Sequence, residues 1–319
     1  NEWTYLVFSC CYKCLRGAID EAQDLIIEKN GSMTTLCLAV VADVTTTGDN
    51  DNRALCVASV GDSLAFVFSQ QSGVREVTAG IRDYDLHRNI RFCDGALGPC
   101  FGEEPDLGNL TFALTSVQAG DIVYLTSDGV SDNFDPVVAG KAMAHSSFKS
   151  GRSRAEVIYS DRLPESKGLV STLRALSPRE RQVAMTETMG RVIGEATLPD
   201  EGCSSASSLC SKLLQHAVSL SEGKRQAYEA TNDILDTCER EKVCNAYMRT
   251  GKDALYQHAR SLPGKLDHAT VVAYVVGGAV ATGAGGEEKP RGTLKAEQSS
   301  CLDVSVGNEQ SKAQMSLID

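Results

Sequence analysis

Apolar residues recur at three- and four-residue steps at Trp3, Leu6, Val7, Cys10, Cys14, Ala18, Ala22 and Leu25, which predicts a helix over residues 3–28 with one buried face. Asn30-Gly31 closes it. The period then changes. Residues 33–44, rich in Thr and Val and apolar on both faces, predict a strand, and residues 54–60 and 64–69 predict a hairpin with Gly61-Asp62-Ser63 at its tip. A short strand is expected over 74–78. The glycine- and proline-punctuated stretch 93–108 predicts a loop, and 110–116 and 121–126 predict two further strands joined by Gln118-Ala119-Gly120-Asp121.

Beyond Asp135-Pro136 the character shifts. Residues 145–167 carry Ser, Arg and Lys without any period and predict a mobile segment. Ser177-Pro178 is a good N-cap followed by proline at the first helical position, and Val183, Thr186, Met189 and Ile193 supply the apolar face of the helix that follows. Two more helices are expected over 207–220 and 223–248, a short one over 253–261, and a last strand over 269–276. From 277 to 319 Gly, Ala, Glu, Lys and Ser dominate and aromatic residues vanish, which predicts a disordered tail.

Composition narrows the function classes modestly. The chain has 319 residues, enough for one large domain, and a net charge of -11, which argues against a broad nucleic-acid surface because phosphate binding needs clustered Lys and Arg. The 12 cysteines are dispersed, and Cys37 and Cys56 fall inside apolar strands, as expected of reduced thiols in an intracellular protein, cytoplasmic or nuclear. A Cys-x-x-Cys at Cys11 and Cys14 has no second pair at zinc-site spacing. No apolar run of roughly 18 residues predicts a membrane span.

Candidate chemistry lies in three aspartates at strand ends. Asp128 follows the apolar run Ile122-Val123-Tyr124-Leu125-Thr126, Asp62 follows Ala58-Ser59-Val60-Gly61, and Asp267 precedes Ala269-Thr270-Val271-Val272. Taken singly, an aspartate beside glycine is most often a plain turn residue. Convergent carboxylates at a sheet rim are also the hard oxygen ligands that Mg²⁺ and Mn²⁺ want. The segments Gly61-Asp62-Ser63, Ser127-Asp128-Gly129-Val130-Ser131-Asp132 and Leu266-Asp267-His268-Ala269-Thr270-Val271, with Gly31-Ser32-Met33-Thr34-Thr35 upstream, resemble in order the motifs of the PP2C-type (PPM) metal-dependent protein phosphatases. Within that family the sequence is most similar to animal PP2C-like-domain proteins sharing Ser-Asp-Gly-Val-Ser-Asp-Asn-Phe-Asp-Pro and Pro-Gly-Lys-Leu-Asp-His-Ala.

The resemblance implies an α+β fold: two antiparallel β-sheets packed as a sandwich with helices on the outer faces, incomplete at the N-terminus. It implies a domain over residues 1–276 with a helical and mobile insertion at about 139–252. Asp128 and Asp267 would then be ligands of a two-ion Mg²⁺ or Mn²⁺ centre, and Asp62 a ligand of a further, weaker position. The implied reaction is hydrolysis of phosphoserine or phosphothreonine in a phosphoprotein by a metal-bound water, without a protein nucleophile. The alternative is a pseudophosphatase, the same sandwich used as a regulatory binding module.

Three departures from the family pattern stand out. The Asp-Gly-His-Gly-Gly motif that supplies its metal-bridging aspartate is absent from this chain, which starts at Asn1 and reads as a fragment or a processed chain, so these residues alone are expected to be inactive or weakly active. His268 stands where the family has Asn, and either a hydrogen-bonding role behind the ligands or direct coordination is open to it. The long segment between Asp132 and Asp253 is a candidate for recruiting a protein partner, for covering the site, or for a tolerated insertion.

Overall fold

Three apolar cores, each shared by two layers, define the architecture. The structure is a computed structural model and describes residues 2–43, 53–78, 95–144, 173–194, 205–240, 254 and 256–277. Strands β1 (Leu36–Asp43), β2 (Arg53–Val60) and β7 (Thr111–Val117) form one antiparallel sheet in the order β1-β2-β7. Strands β3 (Leu64–Ser69), β4 (Gly73–Glu76), β8 (Ile122–Thr126) and β11 (Val271–Val275) form the other, in the order β11-β8-β3-β4.

The middle core lies between the sheets. Leu55, Val57 and Val117 from the first meet Ala65, Val67 and Val123 from the second. Because side chains alternate along a strand, the neighbouring positions face outward. Cys56, Ala58 and Val60 pack against Cys11, Leu15 and Ile19 of helix α1 (Glu2–Glu28). Leu64, Phe66 and Tyr124 pack against Met185, Met189 and Ile193 of a helix spanning Pro178–Gly194, and against Leu209, Cys210 and Leu213 of one spanning Ala206–Arg240. The result is the expected α+β sandwich, layered helix, sheet, sheet, helix.

The short helix after β8 is α2 (Asp128–Ser131), continued by a 3-10 turn over Asp132–Phe134. The two later helices are therefore α3 (Pro178–Gly194) and α4 (Ala206–Arg240). Both lie in the stretch whose length suggested an insertion, and both bury apolar faces that would otherwise leave the outer side of the second sheet exposed. A capping box starts α3: the Ser177 hydroxyl accepts from the Glu180 N–H at 3.3 Å, and Glu180 Oε2 accepts from the Ser177 N–H at 2.9 Å.

Several sequence expectations are corrected. Residues 54–60 and 64–69 are both strands but not a hairpin, since β2 and β3 belong to different sheets and Gly61-Asp62-Ser63 is the corner crossing between them. The stretch 93–108 is not simply a loop: β5 (Ala96–Phe101) and β6 (Glu104–Asp106) form a small hairpin. Gln23 of α1 holds that hairpin by its amide, accepting from the Gly98 N–H at 2.6 Å and donating to the Gly98 and Glu103 carbonyls. The helices expected over 207–220 and 223–248 are continuous within α4 as far as Arg240. The buried stripe of α1 runs through Cys11, Leu15 and Ile19, one position round from the predicted Cys10, Cys14 and Ala18, because Leu and Ile bury more apolar area than Cys and Ala. In α3 Met185, not Val183, joins Met189 and Ile193 inside. A two-residue parallel ladder joins β9 (Met143–Ala144) to β10 (Ala175–Leu176). The mobile segment expected over 145–167, the end of the charged helix beyond Arg240 and the tail beyond Gly277 lie outside the described residues.

Candidate metal centre

The site forms where the second sheet ends and the chain crosses between sheets. Asp128 leaves β8 at the first residue of α2, and one helical turn later Asp132 follows on the same face, as residues four apart do. Beside β8, antiparallel β11 brings in the segment 265–270. Ser127 laces the two together: its hydroxyl donates to the His268 carbonyl at 3.0 Å and accepts from the Thr270 N–H at 3.0 Å, while its own N–H donates to the Thr270 carbonyl at 3.0 Å. Gly129 is needed for this approach. A Cβ there would stand 2.3 Å from the His268 carbonyl oxygen and 3.0 Å from that of Asp267, far inside van der Waals contact with backbone that cannot yield.

Asp62 reaches the same region from the crossing corner. Gly61 has φ +96°, and a Cβ on it would meet the Thr35 side chain at 2.3 Å, so glycine is required twice over. Asn109 clamps this residue, its Oδ1 accepting from the Gly61 N–H and its Nδ2 donating to the Gly61 carbonyl, both at 2.9 Å. The hydroxyls of Thr35 and Ser63 lie 2.9 Å apart, and Ser59 donates to the Ser63 carbonyl at 2.9 Å. The Gly31–Thr35 motif thus braces the corner that presents Asp62.

At the meeting point stands an ammonium. Lys265 Nζ is bonded to Asp128 Oδ2 and lies 2.9 Å from Asp132 Oδ2 and 2.9 Å from Asp267 Oδ2. Asp132 is buried at 3% side-chain exposure, Asp267 is the open side at 49%, and Lys265 itself is 16% exposed. Burial by itself would lower the lysine's pKa, but the Asp132 charge and the hydrogen bonds to Asp128, Asp267 and Asp132 raise it overall, so it is charged at neutral pH. Asp62 titrates in the opposite sense to an ordinary paired carboxylate. Burial raises its pKa first, and the charges of Asp128 and Asp132 raise it further against a smaller pull from Lys265.

The structure therefore brings Asp128 and Asp267 onto one cation and sets Asp62 within their electrostatic reach. Asp132 and Lys265 complete the constellation and were missed from the sequence. For Asp132 the signal was there, four residues after Asp128 on one helical face. The His268 side chain is exposed and makes no hydrogen bond to a described residue; its carbonyl is what ties it to the site. Cys11 and Cys14 diverge, one buried and one exposed.

The donor set suits a hard divalent cation, since carboxylate oxygens from separate elements already point at a single position. At Asp132 and Asp267 the spacing is that of an ammonium cage, about 0.8 Å longer than Mg²⁺ coordination. Among the described residues, no group of three or more His, Cys, Asp or Glu side chains is spaced to hold a metal ion as it stands.

Comparison with known proteins agrees with the motifs. Over 124 residues, 39% of this chain, the sequence is 47% identical to a PP2C-like domain-containing protein of Drosophila melanogaster. The matched region spans 17% of that relative's length. No protein-family model matches. Among solved structures, the phosphatase domain of the cell-fate determinant SpoIIE from Bacillus subtilis is 16% identical with a TM-score of 0.21, covering 42% of this chain and 49% of that one. PppA, a key regulatory component of T6SS in Pseudomonas aeruginosa, is 18% identical with a TM-score of 0.24, covering 38% and 49%. The chain is thus similar in sequence to a PP2C-like domain protein. No helix among the described residues is long and apolar enough to cross a membrane.

Proposed function

We propose that the complete protein is a PP2C-type, metal-dependent protein serine/threonine phosphatase, with Asp128 and Asp267 as ligands of the divalent centre and Asp62 with Asp132 serving a further position. The observation that carries this reading is an imbalance of charge. Asp128, Asp132 and Asp267 gather around one ammonium, and Asp62, whose pKa is raised by burial first and then by the Asp128 and Asp132 charges, adds a fourth carboxylate within their electrostatic reach. Further positive charge near such a cluster is attracted to it and favours its ionised form.

Bound Mg²⁺ or Mn²⁺ would supply the Lewis acidity that lowers the pKa of a water and offsets phosphate charge. The chain's own part is positional. Ser127 and Gly129 hold the Asp128 and Asp267 backbones in contact, and Asn109 fixes the Asp62 corner, so the carboxylates are gathered before any substrate arrives. A phosphoprotein is the substrate class this reading implies. A reducing compartment, cytoplasm or nucleus, fits the seven free cysteines among the described residues.

The second reading, a pseudophosphatase acting as a regulatory binding module, is favoured by Lys265 itself, which already occupies the cage. Turnover separates the two. The full-length protein is expected to hydrolyse a phosphothreonine peptide with Mn²⁺ and to lose this with chelator. Asp128→Asn should lower the rate by about a hundredfold or more, since even groups behind metal ligands are worth about 10–100-fold. No turnover under any metal condition supports the binding module.

A further inference from the structure

We infer that Lys265 is a tethered cation that competes with the divalent metal for the carboxylate cage, so that metal enters only as the lysine swings out. The inference rests on the metal-site reading above and adds a control on it.

The placement of Lys265 is built into the backbone. Asn133, 1% exposed, accepts from the Lys265 N–H at 2.8 Å and donates to the Lys265 carbonyl at 3.1 Å. The preceding residue, Gly264, has φ +92° and is packed so closely that a Cβ would meet Ser221 Cα at 2.7 Å. Its N–H donates to the Val138 carbonyl at 3.0 Å, and its own carbonyl accepts from Lys224 Nζ. With residues 264 and 265 held against α2, α4 and the 135–140 turn, the lysine stem leads into the cage and its ammonium meets three carboxylates.

A metal ion and this ammonium cannot share the position. Three oxygens are committed to Nζ, and a divalent ion at coordination distance from the same oxygens would stand against a like charge at close range. The stem, by contrast, is a flexible four-carbon chain, and the half-exposed Asp267 is the open side of the cage. The lysine therefore keeps the carboxylates gathered when metal is scarce and sets a threshold concentration for metal binding.

Two readouts test this on the whole chain. In calorimetric titration with Mn²⁺, Lys265→Met and Lys265→Gln should bind about tenfold or more tightly than the parent, because a set of charge-assisted bonds no longer has to be broken. In lysine acetylation followed by mass spectrometry, the unmodified chain should show Lys265 protected without metal and several-fold more reactive at saturating Mn²⁺, the other lysines unchanged. The acetylation readout needs no substitution and stands even if a variant folds poorly. Equal Mn²⁺ affinity in parent and variants, or Lys265 labelling that does not respond to bound Mn²⁺, overturns the tethered cation while leaving the metal site intact. Absence of Mn²⁺ binding in parent and both variants overturns the metal-site reading and the inference with it.

Discussion

Asn133 and Lys265 are joined as if by a strand ladder: the buried amide holds the lysine's N–H at 2.8 Å and its carbonyl at 3.1 Å, and the same Nδ2 donates to the Gly129 carbonyl at 2.8 Å. One side chain therefore fixes both turns that carry the carboxylates. Asn133→Ala leaves buried backbone groups without partners and should destabilise the fold by about 1–3 kcal/mol. Urea unfolding measures it. A change within a few tenths would show that water or neighbouring groups replace the clamp.

The helix layer is coupled to the site through a second buried pair. Arg181 of α3 sets Nε and Nη2 on Asp135 Oδ2 at 3.0 and 2.7 Å, with the side chains 12% and 6% exposed. Asp135 directly follows the Asp132–Phe134 turn, so α3 is anchored to the element that presents Asp132. Removing one partner strands a buried charge. Arg181→Ala should cost about 3–5 kcal/mol, whereas replacing both residues with apolar ones of similar size should recover most of that. If the single substitution is neutral by thermal unfolding, the pair does not fasten the helix layer to the site.

Alternation of apolar residues revealed the strands readily, because half-buried strands write a period of two into the sequence. It did not reveal which sheet each strand joins. Residues 54–60 and 64–69 carry the same pattern whether they pair with each other or cross at Gly61, and only the packing of both inner faces into one core decides it. The β5–β6 hairpin was hidden by Gly98 and Pro99, which look like loop residues until Gly98 is seen at φ +103° against Met33. Motif order identified Asp62, Asp128 and Asp267 as neighbours in waiting. Lys265 escaped because its role depends on the Asn133 clamp, a contact between residues distant in the chain.

Asp62 gives the site a pH signature. Its folded-state pKa is raised, by burial first and then by Asp128 and Asp132, so the folded chain holds this proton more tightly than the unfolded chain does. The stability from that difference is complete below the ordinary aspartate value of about 3.9 and is lost as the pH rises through the raised value. At pH 7 the charged Asp62 is a net cost to the metal-free fold. Asp62→Asn should therefore raise the unfolding temperature in chelator at pH 7, with the gain vanishing below a pH of about 4. A lower unfolding temperature for Asp62→Asn at pH 7 would mean that its charge is well compensated.

Asp128, Asp132 and Asp267 surround one cation position with Asp62 in electrostatic reach of it, and paramagnetic broadening by Mn²⁺ tests this most directly. In amide NMR spectra of the chain titrated with substoichiometric Mn²⁺, the signals of Gly61 to Ser63, Asp128 to Asp132 and Lys265 to His268 should broaden together and first, although the three segments are far apart in sequence. Broadening centred on other residues, or spread evenly over the acidic surface, would contradict a single carboxylate-lined site.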